Sequence, residues 1–121
     1  MPSTKAPATS EALARRAADL CQDMKAVDVV VLNLAGVTAM TDFFVIASGT
    51  SDTHVRSIAE HVLEELSREG TEVHHEEGLQ QGRWALLDYV DIVVHVFHPT
   101  LRQFYQLERL WGDAEVLQIG A

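Results

Sequence analysis

The chain has 121 residues, of which 47% are hydrophobic, and it carries a formal net charge of −9. This length allows one domain with a substantial core, and the hydrophobic fraction excludes disorder as the main state. The acidic balance argues against a protein whose main task is to grip nucleic-acid phosphates, because such proteins present clustered Lys and Arg.

Apolar runs and cysteine content indicate the cellular setting. No apolar run reaches the roughly 18 to 20 residues that a membrane helix needs, and the N-terminus has no apolar segment typical of a secretory signal. Cys21 is the only cysteine, so no disulfide framework is expected and a reducing cytoplasm fits the chain. An acidic surface favours a basic partner, but from charge alone a requirement for solubility is the stronger interpretation.

The first part of the chain predicts a tail and a helix. Residues 1–9 are small, polar and proline-containing, which predicts a disordered tail. Ser10 is the expected N-cap of a helix. The apolar residues of this helix recur at helical spacing: Leu13, Ala17, Leu20, Cys21 and Met24. Cys21 lies on this stripe, so we expect a buried side chain rather than a nucleophile.

Two buried strands and a second helix follow. Val27–Leu34 and Phe43–Ala47 are rich in β-branched and aromatic residues, which favours strands. A glycine-containing loop then leads into a helix that Ser51 or Asp52 would cap and Gly70 would end. The apolar positions of this helix are Val55, Ile58, Ala59, Val62, Leu63 and Leu66. Val73–His75 is interpreted as a short edge strand.

The stretch Arg83–Trp111 predicts a strand, a tight polar turn, a second strand and a helix. Trp84, Leu86 and Asp88 share one face of the first strand because strand side chains alternate. The second strand, Ile92–Phe97, is apolar except for its histidine, which indicates cover on both faces. The last helix begins at a proline, and its apolar positions are Leu101, Phe104, Leu107 and Trp111.

This order of elements predicts the fold class. Helices alternate with strands, so we expect a single α/β domain with helices packed on a mixed β-sheet of about five strands. The domain is expected to span residues 10–111, and residues 112–121 are expected to form a loose tail.

The loop at Gly49 raises the possibility of nucleotide chemistry. A turn between a buried strand and a helix can hold a phosphate, and similar turns occur in nucleotidyltransferases. Those enzymes also need paired carboxylates for Mg²⁺, and no Asp-x-Asp pair follows this loop. The missing pair weakens this interpretation. We keep it as the alternative function: a divergent nucleotidyltransferase that would use the Gly49 loop with Asp88 and Asp91.

Other catalytic and metal patterns are weak. No Ser-His-Asp or Cys-His arrangement is legible, so no catalytic residue is assigned. The run His74–Glu77 is rich in donors, but neighbouring strand residues point to opposite faces, which favours solvated charge over a metal site. We assign no metal and no cofactor.

Two aromatic residues have two interpretations each. Trp84 opens a strand beside a polar loop and shares a face with Asp88, which is typical of a protein-binding hot spot. A core tryptophan explains the same pattern. His95 is either a satisfied, partly buried histidine or an interface group.

Several motifs in one order resemble a known family. They are Thr41–Ser51 (TDFFVIASGTS), Glu77-Gly78, Trp84–Phe97 (WALLDYVDIVVHVF) and Tyr105–Trp111 (YQLERLW). The chain is similar, from about Ala12 to Trp111, to the ribosome silencing factor family, also called the Iojap family.

This resemblance implies a nucleotidyltransferase-like fold without the catalytic carboxylates, and neither turnover nor a cofactor. It implies that the chain binds the large ribosomal subunit through large-subunit ribosomal protein fourteen. A factor bound there sterically blocks subunit joining and lowers translation when nutrients are limiting. It also implies a homodimer when the protein is free, with no membrane and no sequence-specific nucleic acid as partner. A plain dimerisation module is a third interpretation.

By its position in the family motif, the resemblance implies that Trp84 contacts the partner. Asp88, Tyr89, Asp91 and His95 are added as partner-binding candidates from shared face and charge. The family normally has glycine where this chain has a valine, between Tyr89 and Asp91. Because a β-branched residue resists a positive φ, the sequence predicts that the turn differs here.

Overall fold

The structure is a computed structural model that describes residues 9–101, 114–117 and 119. It shows a six-stranded mixed sheet with two helices on one of its faces, which confirms the predicted α/β class. The elements are α1 (Ser10–Asp23), β1 (Val27–Asn33), β2 (Phe43–Ser48), α2 (Asp52–Arg68), β3 (His75–Glu77), β4 (Trp84–Asp88), β5 (Ile92–Phe97) and β6 (Glu115–Leu117).

The strand order fixes which ends of the strands lie together. The sheet runs β3-β4-β5-β2-β1-β6, and β2 and β5 are its parallel pair. Phe43 is paired with Ile92 and Ser48 with Phe97. Since β4 is antiparallel to β5, its first residue, Trp84, also lies opposite Phe97. Trp84 and the loop after β2 therefore share one end of the sheet.

Both helices pack on one face of the sheet, which we call the helix face. Each helix has an apolar stripe, and alternate strand residues meet it from below. The fully buried residues here include Ala17, Cys21, Val31, Val45, Val55, Ile58, Val62, Leu87, Val94 and Val96. Burial raises the pKa of the Cys21 thiol to about 12, which confirms a structural cysteine. Arg16 joins the two helices through a bidentate ion pair with Glu69, at 2.6 to 3.1 Å.

The opposite side, which we call the Trp84 face, has a smaller core. Its buried residues are Leu32, Leu34, Ile46 and Phe97. Partly buried side chains surround them: Val30, Phe44, Trp84, Leu101 and Ala114. Aromatic and aliphatic side chains thus cover this face of the sheet but remain partly open to solvent.

The helix ends correct one prediction and confirm another. The N-cap of α1 is Thr9 rather than Ser10, because the Thr9 hydroxyl accepts the Ala12 N–H at 3.0 Å. Ser10 is the first helical residue, and its hydroxyl donates to Asp42 at 3.0 Å. Ser51 caps α2 as expected, and Gly70 follows that helix at φ 95°.

Two strand predictions need correction. The edge strand is His75–Glu77 rather than Val73–His75, because pairing with Asp88 and Leu86 of β4 sets its position. β6 lies within the predicted loose tail and adds a sixth strand, so that prediction is wrong for Glu115–Leu117. Three residues are too few for a periodic pattern, and it is pairing with the distant β1 that makes them a strand. The predicted helical positions Phe104, Leu107 and Trp111, and tail residues 1–8, lie outside the described residues.

Candidate functional site

Strand β4 displays two of the five predicted partner-binding residues, Trp84 and Asp88, along one face. Burial alternates along it: Ala85 and Leu87 are buried on the helix face, whereas Trp84, Leu86 and Asp88 are partly exposed. The structure thus confirms that Trp84 and Asp88 share a face. The two lie four residues apart, so they are separated by roughly 13 Å along the strand.

Trp84 is partly buried and held by two aromatic neighbours. Its indole stacks on Phe97 with the ring centroids 5.0 Å apart and the planes at 27°. Its Nε1–H donates to Nδ1 of His95 at 3.1 Å. Trp84 is therefore only partly buried. Phe97 and His95 hold its indole, and part of the side chain is exposed to solvent.

His95 lies beneath the Trp84 face rather than on it. It is 5% exposed, and the Phe44 ring meets it edge-on with the centroids 4.6 Å apart. Burial lowers its pKa to about 4. An indole N–H can only donate, so Nδ1 must be the unprotonated nitrogen and Nε2 carries the hydrogen. Among the residues that the structure describes, Nε2 has no hydrogen-bond partner. Such burial keeps the imidazole from contacting a partner directly.

The loop that leads into Trp84 depends on glycine. Gly78 has φ 76°, and a Cβ there would lie 2.0 Å from the Trp84 carbonyl oxygen. At Gly82 a Cβ would lie 2.5 Å from the carbonyl oxygen of Asp52. Arg56 of α2 also donates to the Gln80 carbonyl at 3.1 Å. These contacts fix the loop to α2 and so set where β4 begins.

The turn between β4 and β5 is tight and strained. The Asp91 N–H donates to the Tyr89 carbonyl at 2.9 Å, the spacing of a γ-turn, and the intervening Val90 has φ 75°. Asp88 Oδ1 accepts the Val90 N–H at 2.8 Å. The sequence predicted that valine would avoid the positive φ of a glycine turn. That prediction is wrong, because Val90 adopts the positive φ that glycine would favour.

Tyr89 does not belong to the Trp84 face. Its side chain is 7% exposed and lies in the core of the helix face. The shared-face basis for choosing it is therefore wrong, since strand alternation places it with Ala85 and Leu87. Burial, together with the charges of Glu72 and Glu76, raises the pKa of its phenol.

Carboxylates border the Trp84 face on two sides. Asp91 is exposed at the tip of the turn, and its backbone carbonyl accepts the Asp42 N–H at 2.9 Å. Along the other margin all three residues of β3 are exposed, with Glu77 paired opposite Leu86. The result is an apolar aromatic strip with negative charge beside it.

Comparisons with known proteins decide the family. A model of the family described as "Ribosomal silencing factor during starvation" matches residues 7–120. The chain belongs to this ribosomal silencing factor family.

Individual relatives agree with this assignment. The chain is 40% identical over 111 residues to ribosomal silencing factor RsfS of Halalkalibacterium halodurans, covering 92% of this chain and 95% of that protein. It is 29% identical to the mouse protein named "Mitochondrial assembly of ribosomal large subunit protein 1", over 84% of this chain and 48% of that one. A crystal structure of a Chromobacterium violaceum protein superposes with a TM-score of 0.84 at 28% identity, covering 93% of both chains. The family supports a ribosome-associated silencing role.

The Gly49 loop is not arranged as an anion site. The Gly49 N–H donates to the Phe97 carbonyl at 2.9 Å, and the Thr50 N–H donates to Nδ1 of His54 at 2.8 Å. The space beside Gly49 is also occupied, because a Cβ there would lie 2.8 Å from the Val55 backbone nitrogen. Two of the loop N–H groups that could hold a phosphate are therefore already engaged.

The carboxylates of the nucleotidyltransferase alternative are at the wrong end of the sheet. Gly49 follows the last residue of β2, whereas Asp88 and Asp91 flank the turn beside the first residue of β2. A six-residue strand separates them, which is roughly 16 Å or more. Within the described residues, no group of three or more His, Cys, Asp or Glu is placed to hold a metal ion. The geometry therefore argues against that alternative.

Residues that the sequence analysis missed are those that support Trp84. Phe44 and Phe97 pack around the Trp84–His95 pair, and Gly78 and Gly82 shape the preceding loop. The two glycines were visible in the sequence as a loop signal, but their contacts with distant backbone were not.

No helix among residues 9–101 is long and apolar enough to cross a membrane.

Proposed function

We propose that this chain binds the large ribosomal subunit through large-subunit ribosomal protein fourteen and sterically blocks subunit joining, lowering translation when nutrients are limiting. The observation that carries the proposal is the Trp84 face of β4, where a partly buried tryptophan and a carboxylate lie on one strand beside an acidic margin. Family membership supports it, as does the mouse relative's name, which refers to the large ribosomal subunit.

Trp84 is suited to be the anchor of such an interface. Tryptophan is enriched among hot-spot residues because one rigid side chain removes a large apolar area from water. The indole of Trp84 is already fixed by Phe97 and His95, so little side-chain entropy remains to be lost on binding.

Negative charge around this anchor favours a basic partner. Asp88 and Asp91 lie at one end of the face, Glu77 lies on its margin opposite Leu86, and the chain carries a net charge of −9. Complementary charge speeds encounter with a basic ribosomal protein and disfavours direct contact with RNA phosphates. Trp84, Asp88 and Asp91 are the proposed partner contacts. His95 supports Trp84 from beneath by accepting its indole N–H.

The proposed mechanism is occupancy alone. A protein that sits where the small subunit must dock prevents joining without turnover, so it needs neither a catalytic residue nor a cofactor. The proposal places the functional unit, residues 10–111 together with β6, in the cytoplasm, as a homodimer when free of the ribosome.

Co-sedimentation with separated ribosomal subunits tests the proposal. Wild-type protein should pellet with large subunits and not with small subunits at moderate salt. Trp84→Ala should weaken this binding by about 2 kcal/mol or more, while circular dichroism still reports a folded chain. Folded wild-type protein that fails to bind large subunits would exclude the proposed function.

A subunit-joining assay tests the mechanism separately. Light scattering from mixed subunits should fall when the large subunits are first saturated with wild-type protein. An equal concentration of Trp84→Ala should leave the signal near its uninhibited value. Binding without any inhibition of joining would retain the partner and reject the steric mechanism.

A further inference from the structure

We propose that an exposed apolar patch at one end of the sheet is a second contact for the basic ribosomal protein that this chain binds. Val37, Met40 and Val90 form the patch, which we call the apolar tip. It takes an aliphatic side chain of the partner that is flanked by Lys or Arg. This inference rests on the proposed function, because it concerns the same partner, but it does not require Trp84 to touch that partner.

The apolar tip lies where two connections of the sheet meet. The loop between β1 and β2 carries Val37 and Met40, and the turn between β4 and β5 carries Val90. A backbone hydrogen bond joins the two segments, because the Asp91 carbonyl accepts the Asp42 N–H at 2.9 Å. The three apolar side chains therefore come from neighbouring connections at the same end of the sheet.

The side chains of the apolar tip are unusually exposed for large hydrophobic residues. Met40 is 83% exposed, Val90 55% and Val37 42%. Among the described residues, the exposed large hydrophobic residues number five, and three of them belong to the tip. Single exposed hydrophobic residues are common on protein surfaces, whereas a group in one place marks an interaction surface.

The β1–β2 loop is apolar in sequence and held in shape by its own hydrogen bonds. Residues 35–40 read AGVTAM and include no charged side chain, although loops that face water are ordinarily polar. The Leu34 carbonyl accepts the N–H groups of Val37 and Thr38 at 2.9 and 3.1 Å. The Met40 N–H donates to the Thr38 hydroxyl at 3.2 Å. A loop shaped in advance loses less entropy when a partner binds.

Val90 supplies an independent observation at the same place. Its φ of 75° is a conformation that a β-branched residue resists, and Asp88 Oδ1 holds it there by accepting its N–H at 2.8 Å. An exposed side chain returns no packing energy to the fold in exchange for this strain. Strain of this kind is concentrated at binding sites, so we assign the Val90 side chain to contact with the partner.

Carboxylates beside the apolar tip define the chemistry of the partner. Asp91 is exposed next to Val90, and Asp88 is partly exposed two residues before it. A protein segment can place an aliphatic side chain on Met40 and Val90 while its Lys or Arg side chains meet these carboxylates. A nucleic-acid backbone would be repelled by the same charges.

Polar substitutions of similar shape test the apolar tip without changing the fold. Val90→Thr keeps the β-branch and the strained turn but replaces a methyl group with a hydroxyl. Met40→Gln keeps the length of the side chain and makes it polar. Val27→Thr is the matched control, because Val27 is 42% exposed and pairs with Ser48 at the opposite end of the sheet. Co-sedimentation titration measures the affinity of each variant for purified large subunits.

The expected affinities follow from the location of each substitution. Val90→Thr and Met40→Gln should each weaken binding about fivefold, because a polar group then replaces apolar surface that the partner covers. Val27→Thr should bind like the wild type. Val90→Gly should also bind about fivefold more weakly, although relief of backbone strain makes its fold more stable. Affinity and stability therefore change in opposite directions in that variant.

A cross-linking measurement identifies what the apolar tip touches. Cys21 is buried, so a cysteine introduced by Met40→Cys or Val27→Cys can be labelled selectively with a benzophenone group. After irradiation of the complex with purified large subunits, Met40→Cys should be linked to a ribosomal protein, at a peptide that contains Lys or Arg. Val27→Cys should give little product. Linkage of Met40→Cys to ribosomal RNA, or equal yields from the two positions, would overturn the assignment.

The titration has outcomes that differ for the two proposals. Wild-type affinity retained by both Val90→Thr and Met40→Gln would overturn the contact at the apolar tip and leave the proposed function standing. Equal losses for these variants and for Val27→Thr would show a general effect of surface polarity and would overturn the contact too. Absence of wild-type binding would overturn the proposed function and the contact with it.

Discussion

The two faces of the sheet are built from alternate residues of the same strands, yet they differ in how closed they are. On the helix face, β4 contributes Ala85 and Leu87, both fully buried beneath two helices. On the Trp84 face, the same strand contributes Trp84, Leu86 and Asp88, all partly exposed. One face stabilises the fold, whereas the other, the proposed docking site, combines packed aromatic support with partly exposed surface.

Adjacent leucines of β4 provide the sharpest test of this difference. Leu87→Ala should lower the free energy of unfolding by about 3 kcal/mol, because it leaves a cavity in the helix-face core. Leu86→Ala removes the same atoms from the opposite, partly exposed face and should cost about 1 kcal/mol. Urea denaturation measures both. Equal losses would contradict the distinction between the faces.

The buried histidine beneath the Trp84 face predicts a pH dependence of stability. The pKa of His95 is about 4 in the fold and close to its ordinary 6.5 when unfolded. Between these values the unfolded chain binds a proton that the folded chain does not, so stability present above pH 6.5 falls as the pH drops toward 4. The loss is at most about 3 kcal/mol.

Comparison with His95→Asn isolates this contribution, since the carboxylates titrate in both proteins. Unfolding free energies are measured by urea denaturation at pH 7 and pH 4.5. The wild type should lose more stability across this interval than the variant. Parallel pH profiles would show that His95 is not held neutral.

The strained turn at the end of the face predicts a stabilising substitution. Val90 has φ 75° and is 55% exposed, so its side chain costs backbone strain without filling the core. Val90→Gly should raise the free energy of unfolding by about 1 kcal/mol, because relief of about 1 to 3 kcal/mol of strain exceeds glycine's entropic cost.

Val90→Ala is the matched control for that substitution. It removes the β-branch but keeps the Cβ, so it should recover less stability than glycine. Thermal unfolding monitored by circular dichroism compares the three proteins. A lower stability for Val90→Gly would show that the valine makes contacts that outweigh the strain.

The smallest expected effect concerns charge on the Trp84 face. Asp88→Asn keeps an oxygen to accept the Val90 N–H but removes the charge. Binding to large subunits should weaken by about 0.5 to 1 kcal/mol and become less sensitive to salt, while stability changes little. Asp19→Asn, an exposed site on α1, should leave binding unchanged. Equal effects at the two sites would point to net charge rather than to this face.

Local patterns predicted most of the fold. The periodicity of α1 and α2, the apolar runs of β2 and β5 and the alternation in β4 each depend on a few neighbouring residues. β6 was missed because three residues acquire strand structure only by pairing with distant β1. Thr9 was missed as a cap because Ser10 is an equally good candidate in sequence.

The site was predictable only in part, for a related reason. Alternation placed Trp84 and Asp88 on one face, but it could not show which nitrogen of His95 accepts the indole N–H, nor that this ring is buried. Tyr89 was misplaced because the alternation of β4 continues one residue past the strand and turns it inward. Gly78 and Gly82 are required because a Cβ at either position would collide with the backbone of Trp84 or Asp52. The sequence does not show these contacts between residues that are apart along the chain.

In the described part of the chain, each margin of the sheet is a three-residue strand, which affects how copies of the molecule could meet. β3 exposes His75, Glu76 and Glu77, and β6 exposes Glu115 beside Val116. Two copies brought margin to margin would have few backbone groups to pair and would place carboxylates against carboxylates. These short, acidic margins therefore offer little template for strand addition by a second copy.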